Sequence, residues 1–378
     1  MKYINQLDSL RGIAVLFVIV HHWKPEINLN RFSIGAIGVD MFFVLSGFLI
    51  STILLTVKEK SKKNNTPIKN LFRNFYFRRM LRIFPIYYMA ILFALIFKNK
   101  INYYTDLETL TPYLLSFSVN FFYYISQSWG GLFSHFWSIA VEEQFYLIWP
   151  WILIFFNKRI LPYVIGLFIL IGILTQFLIL EQNNFTPILT FTCFDAFGLG
   201  GLLAYFFIYY PQKLPLIFKT SLYVSIVVFI LFLIYHLDPF RILNWSKFPT
   251  RTTTSIITFS IITYLILNKE KPENLRFKII FNNSSLIWIG KISYGIYIFH
   301  HFVPEIFGPF LFNENYIMPK KLHFSFQYVI MIASYFSITL IVSYLSYIVI
   351  EQPFLRLKKY FNYQQIIPKT PFSSSSHY

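Results

Sequence analysis

The sequence predicts an all-α, polytopic integral membrane protein with about ten transmembrane helices and both termini in the cytoplasm. Of its 378 residues, 56% are hydrophobic and only 13% are charged, whereas about a quarter of the residues in a soluble domain are charged. The mean hydropathy is +0.54, and aromatic residues make up 21%, a content typical of lipid-facing Phe and interfacial Tyr and Trp. A chain of this length holds about ten spans of ~20 residues with short loops, and no further soluble domain of ordinary size.

Apolar segments recur along the chain, and each is long enough, or nearly so, to cross the hydrocarbon core as a helix. They cover residues 12–26, 36–57, 83–98, 137–156, 161–180, 188–207, 216–236, 252–267, 284–303 and 324–350. No small-residue cleavage site follows the first segment, so we interpret it as a retained helix rather than a secretory signal. We therefore predict one membrane domain over residues 1–360 and a short cytoplasmic tail over 361–378, disordered because it is rich in polar residues.

The net charge of +17 is strongly clustered along the sequence. Nine cations lie between the second and third segments, namely Lys58, Lys60, Lys62, Lys63, Lys69, Arg73, Arg78, Arg79 and Arg82. The positive-inside rule places that loop in the cytoplasm, and alternation then places both termini there, in the plasma (inner) membrane. This clustering accounts for the charge without nucleic acid, which we do not expect as a partner. The single cysteine, Cys193, excludes an intramolecular disulfide and a cysteine-clustered metal site.

Ionisable residues inside the first segment require a structural or functional explanation, because inserting an Arg at the centre of a membrane costs at least ~2.5–3.5 kcal/mol of free energy. Arg11 and His22 are eleven residues apart, so they share one helix face and are separated by roughly 16 Å along the axis. The topology puts Arg11 at the cytoplasmic end and His22 toward the outer leaflet. From spacing alone, snorkelling of Arg11 and helix-end capping by His22 stay open as alternatives.

The fourth segment carries adjacent carboxylates, Glu142 and Glu143, into an otherwise apolar helix. His135 and Ser138 share a helix face with Glu142, and the topology puts Glu142 near the depth of His22. Other polar residues of the outer half have the same predicted depth; they are Asp40, Asp195, His300 and His301. This convergence predicts one site in the outer half of the bilayer.

Arginines gather at the start of the third segment, where Arg79 and Arg82 are one helical turn apart. Guanidinium groups bind phosphate through bidentate hydrogen bonds, so this cluster could hold a phosphorylated donor. Anchoring to lipid headgroups is the alternative, since basic juxtamembrane segments commonly do this.

Seven sequence blocks resemble the acyltransferase-3 family of membrane acyltransferases, whose hallmark is an Arg and a His separated by ten residues. The blocks are LDSLRGIA at 7–14, GVDMFFVLSGF at 38–48, RRMLRIFP at 78–85, HFWSIAVEEQFYLIWP at 135–150, FDAFGLG at 194–200, GKISYGIY at 290–297 and IEQPF at 350–354. They occur in family order over nearly the whole chain.

The resemblance implies about ten core helices and transfer of an acyl group from cytoplasmic acyl-CoA to a hydroxyl, often on a cell-surface polysaccharide. Acetyl is the simplest donor group. We expect acyl-CoA as donor substrate, a carbohydrate acceptor and the lipid bilayer as partners, with no metal and no permanently bound cofactor. Some relatives carry a soluble hydrolase-like domain after the last helix, and this sequence ends at Tyr378 without one. An acyl translocator serving a separate transferase, a membrane glycosyltransferase and a transporter stay open as alternatives.

The same resemblance suggests roles for individual residues. Arg11, Arg79 and Arg82 would hold the phosphates or pantetheine arm of the donor. His22 would act as the base, since the pKa of histidine lies near working pH, and Glu142 or Asp40 would orient it. Further site candidates are His135, Ser138, Glu143, Tyr146, Asp195 and Tyr294.

Several features stay open at this stage. Direct transfer and an acyl-histidine intermediate are both compatible with a catalytic histidine. The outer segments 99–128 and 304–323 are predicted to select the acceptor because they would face it. The acceptor and the oligomeric state are not determined by the sequence.

Overall fold

The structure is a computed structural model that describes most of the chain and contains only helices and connecting turns in that part. The described residues are 3–23, 33–65, 67–98, 106–178, 184–237, 249–268, 280–312 and 326–361. The predicted all-α fold class is therefore confirmed for these residues.

Fifteen α-helices follow one another in the described ranges. They are α1 (Asn5–Trp23), α2 (Ile34–Lys63), α3 (Ile68–Ile96), α4 (Leu107–Leu115), α5 (Val119–Ser126), α6 (Trp137–Phe155), α7 (Leu161–Leu178), α8 (Phe194–Tyr209), α9 (Leu214–Leu237), α10 (Thr250–Asn268), α11 (Ser284–Lys291), α12 (Ser293–Phe299), α13 (Phe302–Phe312), α14 (Phe326–Ser346) and α15 (Gln352–Arg356). Short 3₁₀ turns precede α6 and α8, and a π-helical turn, Tyr347–Glu351, joins α14 to α15.

Six helical stretches among these residues are long and apolar enough to cross a membrane. They are Ile34–Lys63, Ile68–Ile96, Leu161–Leu178, Thr190–Tyr209, Pro211–Tyr235 and Tyr328–Phe361. The protein is thus a multi-pass membrane protein. Ten spans, cytoplasmic termini and the domain limits stay predictions.

Each of the ten predicted apolar segments coincides with helix, but the helix ends differ from the predicted ones. The helix α2 continues to Lys63 and α3 begins at Ile68, so all nine cations assigned to the loop lie on these two helices. Lys58 is buried there, and its Nζ donates to the carbonyl oxygens of Leu153 at 2.7 Å and Phe156 at 2.5 Å. It thereby satisfies backbone acceptors at the end of α6.

The ninth predicted segment is broken rather than continuous. It contains α11 and α12, with a turn residue, Ile292, between them, and a second turn at His300 and His301 separates α12 from α13. The turns determine where the polar residues at such a break lie, and hydropathy alone does not locate these turns.

Some predictions concern residues that the structure does not describe. These are the tail after residue 361 and part of the two segments predicted to select the acceptor, namely 99–105 and 313–323.

The helices α2 and α8 pack closely, because glycines of both helices lie at the contact. A Cβ atom on Gly200 would lie 2.1 Å from the carbonyl oxygen of Val44, and one on Gly47 would lie 2.2 Å from that of Phe197. Small residues let transmembrane backbones approach this closely. The contact fixes α2 against α8 and so positions the polar residues on both helices.

The segment before α6 is partly helical, although the sequence suggests only a loop there. The side chain of Gln144 on α6 ties this segment down, since its amide nitrogen donates to the carbonyl oxygen of Phe117 at 2.7 Å and to Asn120 Oδ1 at 2.9 Å. Thr190 in turn donates to Gln144 Oε1. These hydrogen bonds between buried amides hold α5 against α6.

Candidate active site

A cavity of about 740 Å³ lies between α1, α2, α3, α6 and α12, within the size range of ligand sites. Its charged lining residues are six cations, Arg11, Arg78, Arg79, Arg82, Lys291 and Lys358, and three acids, Asp8, Glu142 and Glu351. The excess of positive charge favours an anionic ligand.

The three predicted donor-binding arginines all line this cavity. Arg79 lies over the ring of Tyr146, with its guanidinium carbon 5.3 Å from the ring centroid, a cation–π arrangement. Arg11 approaches Asp8 at 4.0 Å, and Asp8 accepts a hydrogen bond from the hydroxyl of Tyr3. The structure therefore brings together arginines from α1 and α3 that are about 70 residues apart in sequence.

Two lysines line the cavity that were not predicted from the sequence to bind the donor. Lys291 ends α11, and Lys358 follows α15 near the end of the described chain. Lys358 is anchored through its backbone, because Arg78 Nη1 donates to its carbonyl oxygen at 3.1 Å. The basic residues after the last apolar segment were the available signal, but only the fold shows that they return to α3.

Glu142 lies on the wall of the cavity. Its Oε1 accepts a hydrogen bond from Ser46 at 2.9 Å, and its Oε2 accepts one from Tyr146 at 3.0 Å. It lies within electrostatic reach of Arg11 and Arg79. The predicted depth of Glu142 near that of His22 stays a prediction, but Glu142 lines the cavity together with the arginines, and the lining contains no histidine. The Glu142 carboxylate therefore belongs to the arginine side of the site.

The remaining predicted residues of this region have different surroundings. Glu143 is next to Glu142, and its Oε1 is buried without a hydrogen-bond partner among the described residues. Tyr294 lines the cavity and donates to the carbonyl oxygen of Ile83 at 2.9 Å, joining α12 to α3.

A serine and a tyrosine connect the cavity with the histidines beyond it. Ser138 Oγ lies 2.5 Å from the hydroxyl of Tyr297, which donates to the carbonyl oxygen of His135 at 2.9 Å. Both side chains line the cavity. The ring of His135 lies on the far side, where its Nε2 contacts the carbonyl oxygen of Ile298 at 3.3 Å.

Four histidines, His22, His135, His300 and His301, form what we call the histidine cluster. The ring centroid of His22 lies 4.9 Å from that of His300 and 4.5 Å from that of His301. His135 stacks on His301 at 4.5 Å. The structure thus unites residues from α1, the turn before α6 and the break before α13.

Hydrogen bonds determine the tautomer of His22. Its Nδ1 lies 3.0 Å from the carbonyl oxygen of Val18 and 3.1 Å from His300 Nε2. A carbonyl oxygen only accepts, so we assign the proton to Nδ1, which leaves the lone pair on Nε2. His300 Nδ1 likewise contacts the carbonyl oxygen of Tyr297 at 2.7 Å, so its Nε2 is the acceptor toward His22.

Trp23 links this cluster to the last long helix. Its Nε1 donates to the carbonyl oxygen of His300 at 3.0 Å, and its own carbonyl oxygen accepts from Tyr328 at 2.6 Å. The end of α1, the break before α13 and α14 are therefore joined at one residue.

Asp40 and Asp195 form a separate polar group with other partners. Asp40 Oδ1 pairs with Arg251 Nε at 2.9 Å. Asp195 Oδ2 accepts from Thr252 at 2.6 Å and from Gln176 at 2.9 Å. The predicted orientation of His22 by Asp40 stays a prediction, and the observed contacts are those of a buried ion pair.

Arg251 was not singled out from the sequence. It also donates to the carbonyl oxygens of Pro187 at 2.7 Å and Thr192 at 3.0 Å. A charged residue at the start of an otherwise apolar segment was the available signal, together with an unpaired acid, Asp40, predicted at a similar depth.

A helical bundle with several candidate membrane spans and a cation-lined cavity between its helices defines a multi-pass membrane protein with a candidate ligand site. The acyltransferase domain of the acyltransferase-3 family matches residues 4–348. The chain therefore belongs to the acyltransferase-3 family of membrane acyltransferases.

Curated relatives resemble this chain over most of its length. Peptidoglycan O-acetyltransferase OatA of Listeria monocytogenes is 30% identical over 82% of this chain and 51% of its own length. A putative O-acetyltransferase of Staphylococcus aureus is 31% identical over 94% of this chain and 58% of its own length. O-acetyltransferase OatA of Staphylococcus aureus is 27% identical, over 79% and 50% respectively. The chain thus spans about half the length of the curated relatives it matches. No solved structure matches it.

Proposed function

We propose that this chain is a membrane O-acetyltransferase that moves an acetyl group from cytoplasmic acetyl-CoA to a hydroxyl of a polysaccharide outside the membrane. The observation that carries the proposal is the continuity of the site, from a cation-lined cavity through Ser138 and Tyr297 to the histidine cluster. Membership of the acyltransferase-3 family and similarity to O-acetyltransferases support the same activity.

Coenzyme A fits this arrangement because its phosphates and its thioester lie at opposite ends of a long molecule. Arg11, Arg79 and Arg82 would bind the phosphates or the adjoining pantetheine arm, since guanidinium groups favour bidentate contacts with phosphate. The sidedness follows from the positive-inside rule, which places the arginines toward the cytoplasm. Arg11 and His22 lie on the same helix, α1, roughly 16 Å apart. This separation suits an arm that carries the acetyl group toward the outer side.

His22 is the proposed general base. Its Nε2 takes the proton of the acceptor hydroxyl while the acceptor oxygen forms a bond to the thioester carbonyl carbon. The carbon–sulfur bond then breaks, and the coenzyme A sulfur takes the proton from His22. His300 Nε2 would accept the Nδ1 proton of His22 across the 3.1 Å contact and so support the tautomer that the carbonyl oxygen of Val18 also requires.

Glu142 would contribute from the cavity wall. Its carboxylate, held by Ser46 and Tyr146, balances part of the charge of Arg11 and Arg79. This leaves the arginines positioned for the donor while limiting repulsion among buried cations.

The acceptor class comes from the relatives. The Listeria protein is named for peptidoglycan, so peptidoglycan is the first acceptor to test for this chain.

The test uses purified protein in liposomes, with radiolabelled acetyl-CoA on the donor side and peptidoglycan fragments as acceptor. His22→Ala should reduce acetyl transfer by about 10²–10⁴-fold, the usual contribution of a general base. His21→Ala is the matched control, because it removes a neighbouring imidazole outside the cluster and should retain transfer. Substantial transfer by a folded His22→Ala protein would overturn the assignment. Label that crosses the bilayer without reaching the glycan would replace transfer by acyl translocation.

A further inference from the structure

We propose that the histidine cluster is a binding site for a divalent transition metal of the zinc class, with His22, His300 and His301 as ligands. One ring nitrogen of each lies within 4.8 Å of those of the other two. Nitrogen ligands around tetrahedral zinc are about 3.4 Å apart, given Zn–N bonds of ~2.0–2.1 Å. Side-chain adjustments on the order of 1 Å therefore bring the three nitrogens to coordination distance.

Unsatisfied nitrogens provide a second and independent observation. His301 Nε2 and His135 Nδ1 are buried and have no hydrogen-bond partner within the part of the chain that the structure describes. Buried polar atoms in folded proteins are nearly always partnered, and each exception calls for an explanation such as an ion. A metal among these rings accepts the lone pair of His301 directly and leaves His135 beside a fourth coordination position.

The surroundings of the cluster match those of metal-binding histidines. Such residues commonly donate their other ring N–H to a backbone carbonyl, which fixes the tautomer. His300 has this contact through Nδ1 to Tyr297, and His135 has it through Nε2 to Ile298. The remaining nitrogens are His300 Nε2, which lies 3.1 Å from His22 Nδ1, and His135 Nδ1, which has no partner among the described residues.

The ligand set also selects the metal class. Imidazole nitrogens suit zinc, copper and nickel, whereas magnesium and calcium favour oxygen ligands. The ligand set contains three imidazoles and no carboxylate. Three histidines with a fourth position open to water or His135 are a common zinc arrangement.

Metal binding and general-base catalysis exclude each other at His22. A neutral imidazole has one N–H and one lone pair. The metal occupies that lone pair, so a metal-bound His22 cannot accept the proton of an acceptor hydroxyl. The site is therefore inhibitory; this part of the inference rests on the proposed function, while binding itself does not.

The binding experiment uses the full chain in lipid nanodiscs after removal of metals with a chelator. Titration with Co²⁺ should give the visible absorption of tetrahedral cobalt at one equivalent per chain, and Zn²⁺ should displace it. His301→Gln should weaken cobalt binding by at least about tenfold, the scale of losing a supporting contact alone. His377→Gln is the control for histidines elsewhere in the sequence and should leave the titration unchanged.

Two further variants keep the test decisive if a glutamine disturbs folding. His301→Cys supplies a different ligand at the same position, so it should restore binding and add a thiolate-to-cobalt charge-transfer band. His300→Gln should also weaken binding at least about tenfold. Equal cobalt binding by wild type and both glutamine variants, or the absence of a tetrahedral spectrum in wild type, would overturn the metal site.

The inhibition experiment measures acetyl transfer against Zn²⁺ concentration. Zinc should reduce transfer in wild type, and chelator should restore it. For each protein, transfer is expressed relative to its own metal-free rate. The half-inhibitory Zn²⁺ concentration of His301→Gln should then be at least about tenfold higher than that of wild type. Transfer that requires added metal would overturn the exclusion argument. Absent transfer in the metal-free protein would count against the proposed function, while the cobalt titration still decides the metal site.

Discussion

Replacing Asp40 by Asn probes the buried ion pair with Arg251. The substitution keeps the size of the side chain and removes its charge. Arg251 then retains its contacts to the carbonyl oxygens of Pro187 and Thr192, but its guanidinium charge has lost its anionic partner. Both side chains of the pair are less than a tenth exposed, so water cannot replace the carboxylate.

The expected loss follows from this burial. Breaking a buried ion pair on one side costs about 3–5 kcal/mol, because the remaining charge is uncompensated. A large domain loses roughly 2 °C of melting temperature per kcal/mol. The midpoint of thermal unfolding should therefore fall by roughly 6–10 °C for Asp40→Asn.

The assay is thermal unfolding of purified variants in one detergent, combined in a double-mutant cycle with Arg251→Met. The double variant should be more stable than the two single losses added together, because neither charge is left alone. An unchanged midpoint for Asp40→Asn, or simple additivity in the cycle, would refute the structural interpretation. Loss of transfer without loss of stability would instead support the catalytic role predicted from the sequence.

Three other substitutions have defined outcomes. Gly200→Leu should prevent folding because its Cβ meets backbone of α2, whereas Gly166→Leu should fold, since nothing lies within 4 Å of its Cβ position; size-exclusion profiles decide, and a monodisperse Gly200→Leu protein would contradict the packing. Arg82→Ala should raise KM for acetyl-CoA at least about tenfold, as expected for a lost charge-assisted phosphate contact, with little change for a donor that lacks phosphates; equal effects on both donors would exclude phosphate binding. The exposed Asp106 carboxylate has its pKa lowered from the usual 3.8 by hydrogen bonds from Thr109, so its cap on α4 stabilises the helix above that value and is lost as pH falls through the lowered pKa. Amide protection in α4 should drop on acidification in wild type and be low throughout in Asp106→Ala; identical pH profiles would disprove the cap.

The fold was predictable where hydropathy alone decides it. Apolar runs located the centres of the helices, because a helix of about twenty apolar residues spans the hydrocarbon core of a bilayer. Helix ends were predicted less well, since Lys58 continues α2 beyond the apolar run by donating to carbonyl oxygens at the end of α6. A basic residue after an apolar run suggests that the helix has ended. Only the structure shows that its charge is satisfied by carbonyl oxygens of a neighbouring helix.

For the candidate site, sequence spacing predicted which residues share a helix face better than it predicted the depth of each residue in the membrane. Arg11 and Arg79, grouped from the sequence as donor-binding candidates, line one cavity, and Glu142, predicted near the depth of His22, lines the same cavity. The partner of His22 was assigned among carboxylates at similar predicted depth, yet the structure places His300 beside it. Depth estimated from span boundaries carries errors of several residues, and the backbone break that presents His300 has no hydropathy signature.

Trp23 restricts how α1, the break before α13, and α14 can move relative to one another. Its indole holds the carbonyl oxygen of His300 while its own carbonyl oxygen is held by Tyr328. Opening that separates α1 from α14 would break the second hydrogen bond, and opening that separates α1 from the break before α13 would break the first. The three segments therefore favour displacement as one rigid group, which preserves the distance from His22 to His300.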